Sequence, residues 1–283
     1  MLQNLVDVSL LYRRIALPFI LALVLLFTIG PLALANTRDA AASLVGPKKN
    51  YLALGDSLAF GYQPDFDFRH GYTDDFYQDL RGHGVTAMAN LACPGETSAT
   101  MIQGKCPFPL LRKYPYIGSQ LNAALLYLSL HRGQVSPVTL TIGANDLLPA
   151  INSKTCEINA SEFDAALPLL DANLTQVILP QLHNALMVDG KVTGDLVMMN
   201  YYDPFQDRCP LTVPLIQEFN QHLLNDAQGY GIIVNSFDAF GGAALPNTNI
   251  CAYTWICSTF NDVHATSLGY STIASTFEKT TGY

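Results

Sequence analysis

Tyr51-Leu-Ala-Leu-Gly-Asp-Ser-Leu-Ala-Phe-Gly-Tyr62 is the stretch on which the reading of the fold turns. Its first five residues, Tyr51 to Gly55, form a short apolar run with the length and side-chain types of a buried strand, and a Gly-Asp-Ser turn follows at once. Four similar runs lie downstream: Val85 to Leu91, Val138 to Gly143, Leu196 to Tyr202 and Ile232 to Phe237. The segments Thr73 to Leu80, Ser119 to His131, Ser161 to Leu186, Val213 to Asp226 and Thr266 to Glu278 carry helical spacing. Strand and helix therefore alternate, which predicts one α/β domain over residues 50–283, built on a parallel five-stranded sheet with helices on both faces. In such a sheet, sites form beyond the carboxyl ends of the strands. There is no internal repeat, and the Pro-rich, aromatic stretch from Cys106 to Tyr116 reads as a long loop within the domain.

Working outward, the N-terminus has a different character. Arg13 and Arg14 precede an uncharged apolar run from Ile15 to Thr28, followed by Gly30, Pro31 and the small-residue site Ala33-Leu-Ala35. This is the order of a secretory signal peptide, expected to span residues 1–35 and to be cleaved before Asn36, with residues 36–49 as a lead-in. The alternative is an uncleaved anchor, because Ile15 to Ala35 is long enough to cross a bilayer as a helix. The expected location is accordingly secreted or extracytoplasmic, with no stable membrane span after cleavage.

Composition narrows the partners. Of 283 residues, 49% are hydrophobic and 13% charged, and 15 basic against 23 acidic side chains give a net charge of −8. The basic surface that a phosphate backbone demands is missing, which argues against nucleic acid. Low charge points instead to an uncharged or apolar small molecule or to a membrane-routed chain. All six cysteines, Cys93, Cys106, Cys156, Cys209, Cys251 and Cys257, follow the signal. An even count in an exported chain favours disulfides, and without C-x-x-C or H-E-x-x-H no metal site is expected. Fifteen pairings are possible. Pairing neighbours in order gives Cys93 with Cys106 and Cys251 with Cys257, leaving Cys156 with Cys209.

Chemistry-bearing residues follow the strands. Gly55-Asp56-Ser57-Leu58 follows the first, Asn90-Leu-Ala-Cys-Pro-Gly95 the second and Gly143-Ala144-Asn145-Asp146 the third, and Asn261-Asp262-Val263-His264 precedes the last helix. A hydroxyl, a backbone N–H at a glycine, a neutral amide and an imidazole are the parts of an acyl-transfer site.

In order and spacing these four blocks resemble the SGNH, or G-D-S-L, hydrolase family, from Tyr51 to about Ala274, and in particular its secreted, disulfide-containing esterases and lipases. The resemblance implies a three-layer α/β/α sandwich of flavodoxin-like type and a serine esterase or lipase acting on a small-molecule or lipid ester without a cofactor. Ser57 matches the nucleophile and His264 its base, while Gly95, Asn145 and the backbone N–H of Ser57 match the oxyanion-hole donors. The sequence departs from the family at the His block, where the usual Asp three residues before His and the Pro after it are Asn261 and Ala265. Asp262 is the nearest carboxylate and stands as the third catalytic candidate, with a main-chain carbonyl of Asn261 or Asp262 as the alternative that would leave a Ser–His dyad. Asp56 and Asp146 are read as loop-holding, and Phe66, Phe68, Phe108, Tyr116, Tyr253 and Trp255 either line an acyl pocket or pack in the core.

Two rival functions stay open on the sequence. One is a non-catalytic binding protein on the same scaffold, and the other is a carbohydrate O-acetyl esterase within the family. A nucleotide-binding flavodoxin-like domain lacks both G-x-G-x-x-G and a P-loop. Oligomeric state is not legible, nor is glycosylation at Asn159-Ala-Ser161 and Asn173-Leu-Thr175.

Overall fold

The computed structural model describes residues 44–283, so the expected signal peptide and its cleavage site lie outside the described residues. The sheet has five strands: β1 (Asn50–Gly55), β2 (Ala87–Asn90), β3 (Val135–Thr141), β4 (Leu196–Met199) and β5 (Ile232–Val234). Their order is β2-β1-β3-β4-β5, and every pairing is parallel. Each residue of β1, β3 and β4 is buried, as a sheet covered on both faces requires. The chain order reverses between β1 and β3, which opens a crevice at the carboxyl ends of those two strands.

Helices close both faces. Helix α1 (Tyr72–Gly82) packs against α2 (Ser267–Thr281), where Tyr72 stacks on Phe277 with ring centroids 4.9 Å apart. The rest of the cover comes from Gln120–Leu130, Thr212–Ala227 and a long segment from Ala160 to Ala185. Tyr72, Phe76 and Phe277 are fully buried, each contributing about 1.5–3 kcal/mol by its removal from water. The buried hydroxyls of Tyr51 and Tyr72 bond Thr139 and Thr141 of β3 at 2.9 and 2.6 Å, so the polar ends of these core side chains are satisfied.

Several boundaries differ from the sequence expectation for identifiable reasons. Strand β3 begins at Val135 and includes Pro137, which cannot donate to the ladder. The register with β1 shifts at that point, between Asn50 opposite Val135 and Leu52 opposite Val138. Strand β4 stops at Met199: Asn200 N still donates to Val234 O at 3.1 Å, but Tyr201 N leaves the ladder and donates to the Asn220 side chain at 2.8 Å. Strand β5 stops at Val234, because the Asn235 side chain caps a short helix, Ser236–Ala239. The single helix expected from Ser161 to Leu186 is an α-helix to Asn173, a π turn over Leu174–Ile178 and a second helix over Leu179–Ala185. Short hairpins at Ile151–Ile158 and Met187–Val192 escaped the sequence pattern, having two-residue strands.

Three disulfides join Cys93 to Cys106, Cys156 to Cys209 and Cys251 to Cys257. The lead-in is tied down where it is described: Val45 N and Gly46 N both donate to the Asp195 carboxylate, at 2.7 and 2.8 Å. Among the described residues no helix is long and apolar enough to cross a membrane.

Candidate active site

The turn after β1 is built around a position only glycine can fill. Gly55 has φ +129°, and a Cβ there would fall 1.9 Å from the Thr141 carbonyl oxygen on β3. Asp56 N donates back to that same oxygen at 2.9 Å, and the Asp56 carboxylate caps the short helix Ser57–Phe60 by accepting from Leu58 N at 2.9 Å. Its other oxygen accepts from the Tyr201 hydroxyl at 2.6 Å. Burial pushes the Asp56 carboxyl up to about 6, with the hydrogen bonds from Tyr201 and Leu58 opposing the rise. Asp56 thus holds the turn that carries Ser57.

Beyond β2, Cys93-Pro94-Gly95-Glu96 forms a turn closed by Glu96 N donating to Cys93 O at 3.1 Å. Proline second and a glycine at φ +77° third are the residues a type II turn requires. Cys93 N donates to Gly55 O at 3.0 Å, joining this turn to the one that carries Ser57. Beyond β3, Asn145 lies in the short helix Ala144–Leu147, and its Nδ2 donates to Glu96 O at 2.9 Å. That bond uses one of two amide hydrogens. Neighbouring Asp146 accepts from Ser98 N and Oγ at 2.9 and 2.6 Å and so fastens this turn to the helix Ser98–Gln103. Asn173, in the second glycosylation sequon, donates its amide to Ser98 Oγ at 2.9 Å in the same network.

His264 arrives from the far end of the chain. Thr254 and Ala265 form an antiparallel bridge, and Trp255 N donates to His264 O at 3.0 Å. Asn261, at φ +47°, lets the intervening loop double back. Asp262 Oδ1 then accepts twice, from His264 N at 2.8 Å and from His264 Nδ1 at 2.6 Å. The main-chain bond is an Asx turn. It folds the carboxylate back on the imidazole, so a two-residue spacing achieves what an extended backbone would not guarantee. Burial raises the Asp262 carboxyl, but the bonds from His264 and its charge outweigh burial and hold it below the usual carboxylate value. On the other side of the ring, Nε2 lies 2.7 Å from Ser57 Oγ. The carboxylate on Nδ1 assigns the proton to that nitrogen and leaves Nε2 to face the hydroxyl as an acceptor.

Ser57, Gly95, Asn145, Asp262 and His264 all line one cavity of about 460 Å³. Its walls are mostly apolar and include Leu147, Phe163, Ile216, Phe219, Phe66, Phe68, Phe108 and Leu111. Of the six aromatic residues for which lining or packing stayed open, Phe66, Phe68 and Phe108 line it and Tyr116, Tyr253 and Trp255 do not. Tyr116 lies beneath the Arg112 guanidinium, Tyr253 packs edge-on against Phe240, and Trp255 does so against Phe260. Their aromatic character marked them, but the loops that carry them turn the rings elsewhere. Cys93, Glu96 and Cys106 also cluster, but both sulfurs belong to the disulfide and are not free to bind a metal ion.

Two supporting residues have no local sequence signal. Gln120, at the start of its helix, bonds both main-chain groups of Gly55 and reaches Glu96 Oε2 at 3.0 Å. Tyr62 lies with its ring centroid 4.6 Å from that of His264. Their partners stand far away in the chain, so only the fold shows what they do.

Comparison with known proteins places the fold and the family. Residues 53–271 match the model of the GDSL-like lipase/acylhydrolase family. Among solved structures the chain is similar to a lipase from a goat rumen metagenome, with TM-score 0.57 and 18% identity over 83% of this chain and 97% of that one. It is also similar to an acetylxylan esterase from Geobacillus stearothermophilus, with TM-score 0.51 and 15% identity over 84% of this chain and 96% of the other. An extracellular lipase from Streptomyces rimosus has TM-score 0.51 and 17% identity over 82% and 99%. No curated protein matches the chain in sequence. At these identities the solved structures establish the fold, and the family model establishes descent: the chain belongs to the GDSL-like lipase/acylhydrolase family.

Proposed function

We propose that the protein is an exported serine esterase that cleaves carboxylic esters with an apolar acyl group through an acyl-Ser57 intermediate. The observation that carries this reading is the chain Asp262 Oδ1, His264 Nδ1, His264 Nε2, Ser57 Oγ, with links of 2.6 and 2.7 Å, opening on an apolar cavity. Ser57 Oγ attacks the ester carbonyl as its proton passes to Nε2. The carbonyl oxygen becomes an oxyanion, held by the backbone N–H groups of Ser57 and Gly95 and by the second amide hydrogen of Asn145. Collapse breaks the bond to the alcohol oxygen, which takes the proton from Nε2. Water then repeats the sequence in reverse, releasing the acid and restoring Ser57. Asp262 keeps the imidazole oriented and stabilises its cationic form.

Export rests on the signal pattern of residues 1–35, with cleavage before Asn36, and three disulfides support a destination outside the reducing cytoplasm. Intact mass of the mature protein checks this, and a retained Met1 would refute cleavage.

A fluorophosphonate probe should label Ser57, and Ser57→Ala should abolish labelling and hydrolysis of p-nitrophenyl esters from acetate to palmitate while leaving the circular dichroism spectrum unchanged. A folded wild type that neither labels nor hydrolyses any of these esters would instead identify a binding protein on a hydrolase scaffold.

A further inference from the structure

The mouth of the cavity is wrapped by aromatic side chains that continue outward into solvent. From the His264 imidazole, ring contacts run to Tyr62 at 4.6 Å, from Tyr62 to Phe68 at 5.7 Å and from Phe68 to Phe66 at 6.0 Å. Phe66 lines the cavity yet is 76% exposed. It is carried on a turn at φ +66°, a left-handed conformation that a bulky side chain rarely adopts. The turn is fastened from beneath, where buried Gln63 donates to Asp67 O at 3.1 Å and accepts from Trp255 Nε1 at 3.3 Å. Backbone strain that holds an apolar ring in water points to a use for the ring.

A second apolar rim meets the same cavity from the Gly95 side. Phe108 sits against Gly95, whose added Cβ would lie 3.3 Å from its ring, and it is 54% exposed. Leu110, two residues on, is 98% exposed, while Leu111 turns inward to line the cavity. This loop is rigid by construction: Cys106 is bonded to Cys93, Lys113 Nζ bonds Asp74 at 2.6 Å, and an Arg112 guanidinium N–H donates to Tyr116 O at 2.7 Å. The two rims form a preformed apolar collar around the cavity mouth.

Given the esterase reading above, we propose that this collar is an interfacial docking surface, which seats the cavity mouth on an aggregated, uncharged acyl ester such as an emulsion droplet. Continuity selects this occupant, since Phe66 and Phe108 each belong both to the exposed collar and to the cavity wall. An acyl chain leaving a droplet therefore meets apolar surface all the way to Ser57, whereas a second copy of the protein seated there would block the cavity. Charge selects the uncharged class. Asp65 and Asp67 flank Phe66, Arg69 follows them, and Lys105 lies near Phe108 in the chain, so the charges of both signs offset one another and a surface of either sign gains little net attraction.

Leu110 stands outside the cavity and serves as the probe. Leu110→Asp should keep hydrolysis of dissolved p-nitrophenyl acetate within about twofold of wild type and lose about tenfold on emulsified tributyrin, the loss expected for withdrawing one buried leucine from the droplet. Co-sedimentation with tributyrin droplets reads binding without turnover: the Ser57→Ala protein should sediment with them, and Ser57→Ala carrying Phe66→Ser and Phe108→Ser should not. Equal loss on dissolved and emulsified ester would overturn the proposal, as would Ser57→Ala protein that ignores droplets. A dimer that Leu110→Asp dissociates would also overturn it, reassigning the collar to a second copy. Absence of Ser57-dependent hydrolysis would refute the esterase reading alone, because droplet binding by the Ser57→Ala protein is scored separately.

Discussion

The side chain of Gln120 hydrogen-bonds both main-chain groups of Gly55: Oε1 accepts from Gly55 N at 2.6 Å, and Nε2 donates to Gly55 O at 2.9 Å. The same Nε2 donates to Glu96 Oε2 at 3.0 Å, and Glu96 O in turn accepts from Asn145. One buried amide therefore couples the turn that carries Ser57 to the turns that carry Gly95 and Asn145.

Gln120→Ala should leave those buried groups unpaired, lowering stability by about 2 kcal/mol in urea unfolding. If the coupling sets the geometry of attack, kcat should also fall about tenfold with KM little changed. A stability loss with unchanged kcat would limit Gln120 to holding the fold.

Asp262→Ala should lower kcat by about 10⁴, the scale seen when a serine-protease triad loses its aspartate, because the imidazole loses its orientation and its counter-charge. Asn261→Ala should cost less than tenfold, since Asn261 holds a loop angle and bonds Arg208 at 3.2 Å. Steady-state kinetics on a soluble p-nitrophenyl ester checks both. Because the folded-state value of Asp262 is lowered, its stabilising bonds should persist above the unfolded carboxylate value of about 3.9 and be lost as pH falls through the lower folded value.

If the second amide hydrogen of Asn145 holds the oxyanion, as proposed, Asn145→Ala should lower kcat by about 10²–10³ with little change in KM, because that hydrogen would meet negative charge only as the tetrahedral intermediate forms. Loss of its bond to Glu96 O should cost about 1 kcal/mol of stability as well. Unchanged turnover would reduce Asn145 to a loop tie.

Asp56 sets a pH dependence of stability. Its folded value of about 6 stands above the ordinary 3.8, so the native state holds this proton longer than the unfolded chain. Stability should therefore fall as pH rises from about 4 to about 6, by up to about 3 kcal/mol from this group. Asp56→Asn keeps an oxygen for Leu58 N and removes the ionisation. Urea unfolding at pH 4.5 and pH 7.5 should show a smaller difference for the variant than for wild type, and equal differences would refute the assignment.

Much of the fold was legible because it is written in local patterns. Runs such as Tyr51 to Gly55 are apolar on both faces because both faces of a parallel sheet are covered, and they announce their strands without knowledge of their partners. Boundaries were less legible wherever a distant group ended an element. Nothing near Met199 shows that the N–H of Tyr201 goes to Asn220, 19 residues on, and nothing near Pro137 shows that the pairing with β1 shifts register there.

The sequence by itself determined the alternation of strands and helices, because residue types and their order along the chain carry that information, and through its family resemblance it put forward Ser57, His264, Gly95 and Asn145 as site candidates. Only the tertiary structure decided what touches what. The Asx turn that brings Asp262 to His264, the pairing of Gln120 with Gly55, and the division of the aromatic side chains between the cavity wall and other packing sites all depend on where loops turn. The Asx turn itself is local, but the contacts that join one loop to another are hydrogen bonds across 65 and more residues of chain, as between Gln120 and Gly55 or His264 and Ser57, which no local window of sequence contains.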